Sequence, residues 1–483
     1  MNLRVVFLML GRLLMALAGA LLIPCAVGWY SGEGDGPAFL AAAMIAGIGG
    51  VALNLVFRSG SEFTFGRREA FVLVTAAWVT ASIVGALPYI FFKGPGFAVD
   101  ALFESASGFT TTGASILTSI EGEAQGILLW RSLTHWLGGM GIIVLGIAIL
   151  PKLAIGGMEL LGAEAPGPIT EKLTPRIAST AKALWGIYLV ITATETVALR
   201  LLGMGWLEAL NHAFATMATG GFSTRNASVG GFASPAIEMV IVFFMLMAGA
   251  NFALHFHLIR GKPLPLLKDP EFRMFLGIIG VATALITLSL MISSTYDSLW
   301  QSLRYSVFQA TSIVTTTGFA TVDYEVWPAF SKAMLFLLMF VGGCAGSTGG
   351  SVKVVRIMIV LKKMVVDLKR MIRPHAVLPV RIGTRGIPED VVTSVTTFFL
   401  LFLTLFALGG LAMTALGSVD MVSAFSASAA CIGNIGPGFG MVGPAQNYAF
   451  FPIPAKLILV GLMIVGRLEL YTAMVLLFLW RKK

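Results

Sequence analysis

Four stretches of fourteen residues, DALFESASGFTTTG (100–113), EALNHAFATMATGG (208–221), YSVFQATSIVTTTG (305–318) and SAFSASAACIGNIG (423–436), align with one another without a gap. Each is rich in small residues and ends in a glycine at one shared register, followed by Ala-Ser, Phe-Ser, Phe-Ala or Pro-Gly. Each lies between two long apolar runs and is too short to cross a bilayer, which takes about 20 apolar residues per helix. Repetition at this spacing marks a supersecondary unit used four times. The unit is helix, re-entrant loop, helix, and an extra hairpin over residues 5–57 precedes the first copy.

The rest of the chain agrees with a membrane setting. Of its 483 residues, 57% are hydrophobic and 12% charged, with a mean hydropathy of +0.87, where soluble domains carry about 25% charge. Candidate spans are 5–29, 38–57, 70–92, 127–150, 182–203, 236–258, 274–293, 331–362 with a break, 391–416 and 453–480. The first ends without a small-residue cleavage pattern, so it is expected to be a retained helix rather than a signal peptide. Of the 33 Lys and Arg, 24 fall at one set of loops and termini, nine of them between Lys353 and Arg385. The positive-inside rule makes that side cytoplasmic, with both termini on it. These charges sit between apolar runs, which excludes a nucleic-acid surface. The opposite loops carry Glu33, Asp35, Asp100, Glu121, Glu123, Glu208, Asp297, Asp323, Glu325 and Asp420, an acidic face that attracts cations. Cys25, Cys344 and Cys431 are odd in number and widely spaced, so neither a disulfide framework nor a transition-metal site is expected.

Non-helical backbone at membrane depth is tolerated only where protein buries it or where it lines a water-filled cavity. Four such loops around one axis replace an ion's hydration shell with backbone carbonyls and threonine hydroxyls. Glycine is needed where carbonyls must point inward, because that geometry uses backbone angles that a Cβ disfavours. The expected filter is Thr110, Thr111, Thr112 and Gly113; Thr219, Gly220 and Gly221; Thr315, Thr316, Thr317 and Gly318; and Asn434, Ile435 and Gly436. Asp100, Glu208 and Ser423 suit the N-termini of the short helices, while Tyr305 breaks that pattern. No carboxylate cluster appears in the filter, which favours a monovalent over a divalent cation.

These residues resemble the TrkH/TrkG branch of the Trk/Ktr/HKT superfamily of K+ transporters. The resemblance covers essentially the whole chain and is carried by SGFTTTGAS (107–115), ATGGFST (218–224), TTTGF (315–319), NIGPG (434–438), GGCAGSTGG (342–350) and GRLE (466–469). It departs at Gly433, where a more polar residue is expected. The resemblance implies an all-α polytopic membrane protein of the bacterial inner membrane, with K+ as the permeant ion through a pseudo-fourfold pore and no cofactor in this chain. It further implies a homodimer regulated by a cytosolic TrkA-like nucleotide-binding ring. Four filter glycines go with K+ preference in this superfamily, and a serine in the first loop with Na+. The corresponding units are a hairpin over 1–60 and pore repeats over 61–160, 161–262, 263–375 and 376–483.

The span 331–362 is interrupted by five glycines within residues 341–350, each costing about 1 kcal/mol in a helix relative to Ala. A mobile gate over 342–350 is expected, with Gly343, Gly346, Ser347, Thr348, Gly349 and Gly350 in it; a small-residue helix crossing is the alternative. Arg467 lies inside the last span and must face a cavity or a partner. The family resemblance makes it a barrier beneath the filter, and an ion pair with Glu469 or Glu195 is the plainer account. Gly138-Gly139-Met140-Gly141 is expected to serve close helix packing. His255 and His257 do not share a helical face, and His135 and His212 are isolated, so core histidines are expected rather than ligands or an enzyme's bases. Asn251 suits a polar lining or an interhelical hydrogen bond. The basic segment 353–390 suits regulator docking or contact with lipid headgroups. Coupling of K+ to Na+ or H+ is a second transport reading left open by the sequence.

Overall fold

Apolar sequence of this length folds into helices in lipid because each must satisfy its own backbone hydrogen bonds. The computed structural model describes residues 3–57, 66–148, 173–259, 261, 264–383, 385–417 and 419–476. The basic residues Arg58, Lys152, Lys172, Arg260, Lys262, Arg481, Lys482 and Lys483 lie outside these, as do the expected unit boundaries at 60, 160 and 262.

Helices α1 (Leu3–Ser31) and α2 (Gly36–Phe57) form the hairpin. The first unit has α3 (Arg67–Lys93), the short α4 (Ala98–Phe109) and α5 (Gln125–Ala148). The second has α6 (Leu173–Leu201), the short α7 (Trp206–Met217), α8 (Pro235–Gly249) and α9 (Phe252–Ile259), after which α10 (Leu264–Lys268) leads into the third. That unit has α11 (Pro270–Ile292), the short α12 (Leu299–Val314), α13 (Ala329–Leu338) and α14 (Val354–Ile372). A two-stranded antiparallel ribbon, β1 (Arg381–Ile382) with β2 (Arg385–Gly386), follows. The fourth unit has α15 (Glu389–Gly417), the short α16 (Met421–Ile432), α17 (Ile453–Arg467) and α18 (Tyr471–Met474).

Among the described residues, six helices are individually long and apolar enough to span a membrane: α1, α2, α3, the Ala181–Leu201 part of α6, α11 and α15. The expected span 331–362 is broken as anticipated. Two further spans break where none was expected, 236–258 at Ala250–Asn251 and 453–480 after Arg467. At the first, the Asn251 side chain accepts the Ala253 N–H at 2.9 Å. Asn251 therefore caps α9 rather than bridging helices.

Caps set where the short helices begin. Ser298 accepts the Gln301 N–H at 3.2 Å and Asp420 accepts the Ser423 N–H at 3.1 Å, while Glu208 sits at the third position of α7 and takes the Gly205 N–H at 3.3 Å. Asp100 is in the first turn of α4, whose N-cap is Phe97. Two expectations are corrected: Ser423 follows the cap Asp420 by three residues, and α12 starts earlier than its repeat register, which places Tyr305 in its interior. Hydrogen bonds from the Ser423 side chain and backbone hold the Asp420 carboxyl below its ordinary range.

The hairpin is fastened through its turn. Glu33 accepts the Gln125 N–H at 2.5 Å and buried Asp35 accepts the Ile127 N–H at 3.2 Å, so two carboxylates from the hairpin cap the start of α5. Losing a cap of this kind costs about 0.5–2 kcal/mol. Asp35→Ala is predicted to lower the midpoint of thermal unfolding in detergent, and Asp35→Asn to lower it less.

Candidate functional site: a ring of four loops

The four short helices end in one backbone motif. Thr111, Thr219, Thr316 and Asn434 follow their helices in the left-handed region, at φ of 52°, 55°, 59° and 53°. The next residue of each loop, Thr112, Gly220, Thr317 or Ile435, donates its N–H back to Ser107, Ala215, Ser312 or Ala430, at 2.8–2.9 Å. This is a Schellman termination, with threonine or asparagine where glycine is usual. A β-branched residue there is a backbone outlier and stores on the order of 1–3 kcal/mol.

Two residues after each of these comes the shared glycine, Gly113, Gly221, Gly318 or Gly436, again at positive φ (81°, 77°, 79° and 100°). A Cβ on Gly113 would collide with the carbonyl oxygen of Gly220, one on Gly221 with that of Thr317, and one on Gly318 with that of Ile435. On Gly436 it would lie 2.7 Å from the oxygen of Thr112. The order closes from first loop to second, third, fourth and back to first. These glycines are required twice, for backbone angle and for room.

Buried polar contacts hold the ring from outside. Arg131 and Glu104, 1% and 0% exposed, pair at 2.7 Å. Glu104 also accepts the Ile116 N–H at 3.0 Å, and Arg131 donates to the Ser223 carbonyl at 3.1 Å with its guanidinium 4.0 Å from the Phe222 ring. One ion pair thereby joins the first two loops. Hydroxyl pairs Thr110–Thr112 at 2.7 Å and Thr315–Thr317 at 2.8 Å brace loops one and three. Loop two has Gly220 at the matching place, and the space of a side chain is filled by the His135 ring, stacked on Phe222 at 4.1 Å. In loop four, Asn434 Nδ2 donates to Thr112 Oγ1 at 3.0 Å and to the Met463 carbonyl at 2.9 Å.

The Gly-rich segment between α13 and α14 is seated against the ends of the short helices. Thr348 Oγ1 donates to the Met217 and Ala248 carbonyls at 3.1 and 3.3 Å, and the Gly350 N–H donates to Thr316 Oγ1 at 2.7 Å. Gly350 also packs against the Gly433 carbonyl. Arg467 Nη1 donates to the Thr348 carbonyl at 2.7 Å and Nη2 to Gly138 at 3.3 Å. It pairs with neither Glu469 nor Glu195, since Glu469 is bound to Arg356. Lys353 donates to the Gly349 carbonyl, and Glu271 accepts the N–H groups of Ala345 and Val355 at 2.7 and 2.9 Å.

The residues of the four loops, with Thr348, Gly349, Gly350 and Arg467, thus belong to one connected assembly, and Gly343, Gly346 and Ser347 lie in the same Gly-rich segment. Sequence reasoning missed Glu104, Arg131, Glu271, Lys353 and Arg356. Their signal was available, since each is a charged residue in or beside an apolar segment.

A solved structure shares this fold. The crystal structure of the potassium transporter TrkH from Vibrio parahaemolyticus superposes with a TM-score of 0.92 at 37% identity, covering 100% of both chains. The potassium uptake proteins TrkH of Salmonella typhimurium and of Halomonas elongata are 42% and 40% identical, over 99% and 100% of this chain and 98% and 100% of their own. TrkG of Escherichia coli K12 is 36% identical over 90% of this chain and 89% of its own. The TrkH family profile, described as cation transport protein, matches residues 36–480. The chain belongs to the TrkH family. It is a multi-pass protein of a bacterial membrane and a member of a transport family rather than an enzyme.

His135, His212 and His255 are buried core residues, as expected. His212 bonds the Glu208 carbonyl at 2.8 Å and Ser223 Oγ at 2.9 Å, and His255 bonds the Met247 carbonyl at 2.8 Å; the His257 side chain lies outside the described residues. Gly138 and Gly139 bring α5 against Phe109 and Ala218 at the ends of α4 and α7, so this cluster serves close packing. The acidic residues expected on the outer face are held in two ways. Asp100, Glu123, Glu208 and Glu325 pair with Lys456, Lys93, Arg225 and Lys332, while Glu33, Asp35, Asp323 and Asp420 accept backbone N–H groups.

Substituting alanine at the four glycines is predicted to reduce rubidium uptake in all four variants. Gly436→Ala should retain the most, because its corner has the most room. Equal loss at all four positions, measured at matched membrane abundance, would contradict the geometry.

Proposed function

We propose that the chain conducts K+ through the four-loop ring, as a channel-like uptake subunit gated from the inner side by the Gly-rich segment. The observation that carries this reading is the closed cycle of glycines, each against a carbonyl of the next loop. On this reading the ring's axis is lined by backbone oxygens, and no carboxylate belongs to the four loops. Neutral dipoles that replace a hydration shell suit a monovalent ion. The C-terminal ends of four short helices converge there and add negative potential. The relatives' names, potassium uptake protein and potassium transporter, point to K+.

On this reading the segment Gly343–Gly350 closes the inner side of the ring, held by contacts from the second, third and fourth units, with Arg467 adding positive charge against a cation leaving inward. Helix α14 continues from it and carries Arg356, Lys362, Lys363, Lys369 and Arg370. We take α14 to transmit the state of a cytosolic nucleotide-binding ring to the gate. We further propose a homodimer with both termini cytoplasmic.

Two measurements test this. In proteoliposomes, rubidium is predicted to permeate well ahead of sodium, and comparable permeation of the two would reject K+ selectivity. Reversal potentials under separate K+, Na+ and H+ gradients are predicted to follow K+ alone; a shift with Na+ or H+ would establish coupled symport instead. For the gate, deletion of Gly346–Gly349 is predicted to raise permeation, because it removes the Thr348 contacts and the Gly349 carbonyl bound by Lys353. Arg467→Ala should raise it more weakly. Unchanged flux in both variants would defeat the assignment.

A further inference from the structure

The four corners of the ring differ, and the fourth differs most. Gly436 has a φ of 100° against 77–81° at the other three glycines, and its approach to the next loop is the loosest of the four. Loop four also has Ile435 where loops one and three have a threonine hydroxyl. Tyr448, 2% exposed, reaches in from the segment before α17 and donates its hydroxyl to the Gly436 carbonyl at 2.7 Å. Its backbone N–H donates to the Ser115 carbonyl of the first unit at 2.8 Å, and its ring lies 5.6 Å from that of Phe103 on α4. Among the described residues no comparable donor reaches the carbonyls of Gly113, Gly221 or Gly318.

We infer that Tyr448 is a specificity-determining positioning residue, whose hydroxyl fixes the Gly436 carbonyl and so sets the aperture at the seam between the fourth and first units. The inference rests on the ring being the ion-selective constriction. A carbonyl oxygen has two lone pairs, so one hydrogen bond orients it and leaves the other lone pair to face an ion. Where the loop has no hydroxyl of its own and its neighbour is less tightly apposed, that external bond is what limits the carbonyl's excursions. A smaller, better-hydrated cation is excluded only while the corner cannot close around it.

The test uses the full-length protein in proteoliposomes, with the K+/Na+ permeability ratio as readout. Tyr448→Phe removes one oxygen and keeps the ring contacts with Phe103 and Phe451. It is expected to lower the ratio about two- to tenfold, the range into which a net hydrogen-bond contribution converts, with K+ flux and thermal midpoint largely kept. Tyr324→Phe is the matched comparison, because the Tyr324 hydroxyl donates to the Gly438 carbonyl at 3.0 Å, two residues beyond the ring glycine; its ratio should stay at the wild-type value. Gly436→Ala perturbs the ring directly and should lower the ratio. A lowered ratio in Gly436→Ala with none in Tyr448→Phe would overturn the role of Tyr448 and leave the ring's function standing. Equal losses in Tyr448→Phe and Tyr324→Phe would also overturn it, the cause then being general loosening of loop four. No change in any variant would remove both the inference and the reading beneath it.

Discussion

The contact on which the architecture depends is a glycine Cα lying against the carbonyl oxygen of the next loop, four times in a closed cycle. It tolerates no Cβ at three corners and little at the fourth, so each loop must arrive in register to within a fraction of a side chain. Long-range packing supplies that register. Helix α5 packs against α7, α8 against α12 and α17 against α4, so the second helix of a unit seats the short helix of another. Between the third and fourth units, Leu335, Leu338 and Met339 share a core cluster with Ala429, Ala430 and Ile435. The ring closes because the units interlock, and no single unit could form its corner alone.

Closure leaves backbone groups without helical partners at membrane depth, and the buried charges answer them. Arg467 and Lys353 donate to carbonyls of the Gly-rich segment, and Glu271 accepts the N–H of Ala345 within it and of Val355 just beyond it. A charge in this position costs roughly 2.5–3.5 kcal/mol on insertion scales when it has no partner. Arg467, Lys353 and Glu271 are each matched to the interrupted third-unit span, whereas Arg131, inside the unbroken α5, is matched to Glu104. Arg356 with Glu469 links two such breaks, at the starts of α14 and of the turn after α17.

Much of this was legible in the sequence. The aligned fourteen-residue stretches located the short helices and the shared glycine, and the five glycines within 341–350 located the broken third-unit span. Composition and the distribution of basic residues gave the membrane setting. The breaks after Gly249 and Arg467 were not read from the sequence: the first rests on a local cap by Asn251, and Leu468-Glu469-Leu470 at the second contains neither glycine nor proline. The caps at Ser298 and Asp420 were displaced by a few residues because the repeat register describes the loops, while each helix start is set by its own local side chain. His135 was invisible as a ring element because it lies far in sequence from the second loop, and Tyr448, although only 12 residues beyond Gly436, belongs to no repeated motif and is identified by its hydrogen bond alone.

The four corners show how a repeated backbone persists as its sequence diverges. The invariant elements are those the main chain needs: a left-handed residue, and two positions later a glycine. The side chains behind them vary, with paired threonines at two corners, a histidine ring behind glycine at the second, and an asparagine amide with a tyrosine hydroxyl at the fourth. Carbonyl positions in such a ring are common to all four loops, but the stiffness of each corner is individual. On the proposed reading, ion preference is therefore limited by the most compliant corner rather than by the average, because an ion coordinated at four sites is discriminated only as sharply as the loosest site resists following it.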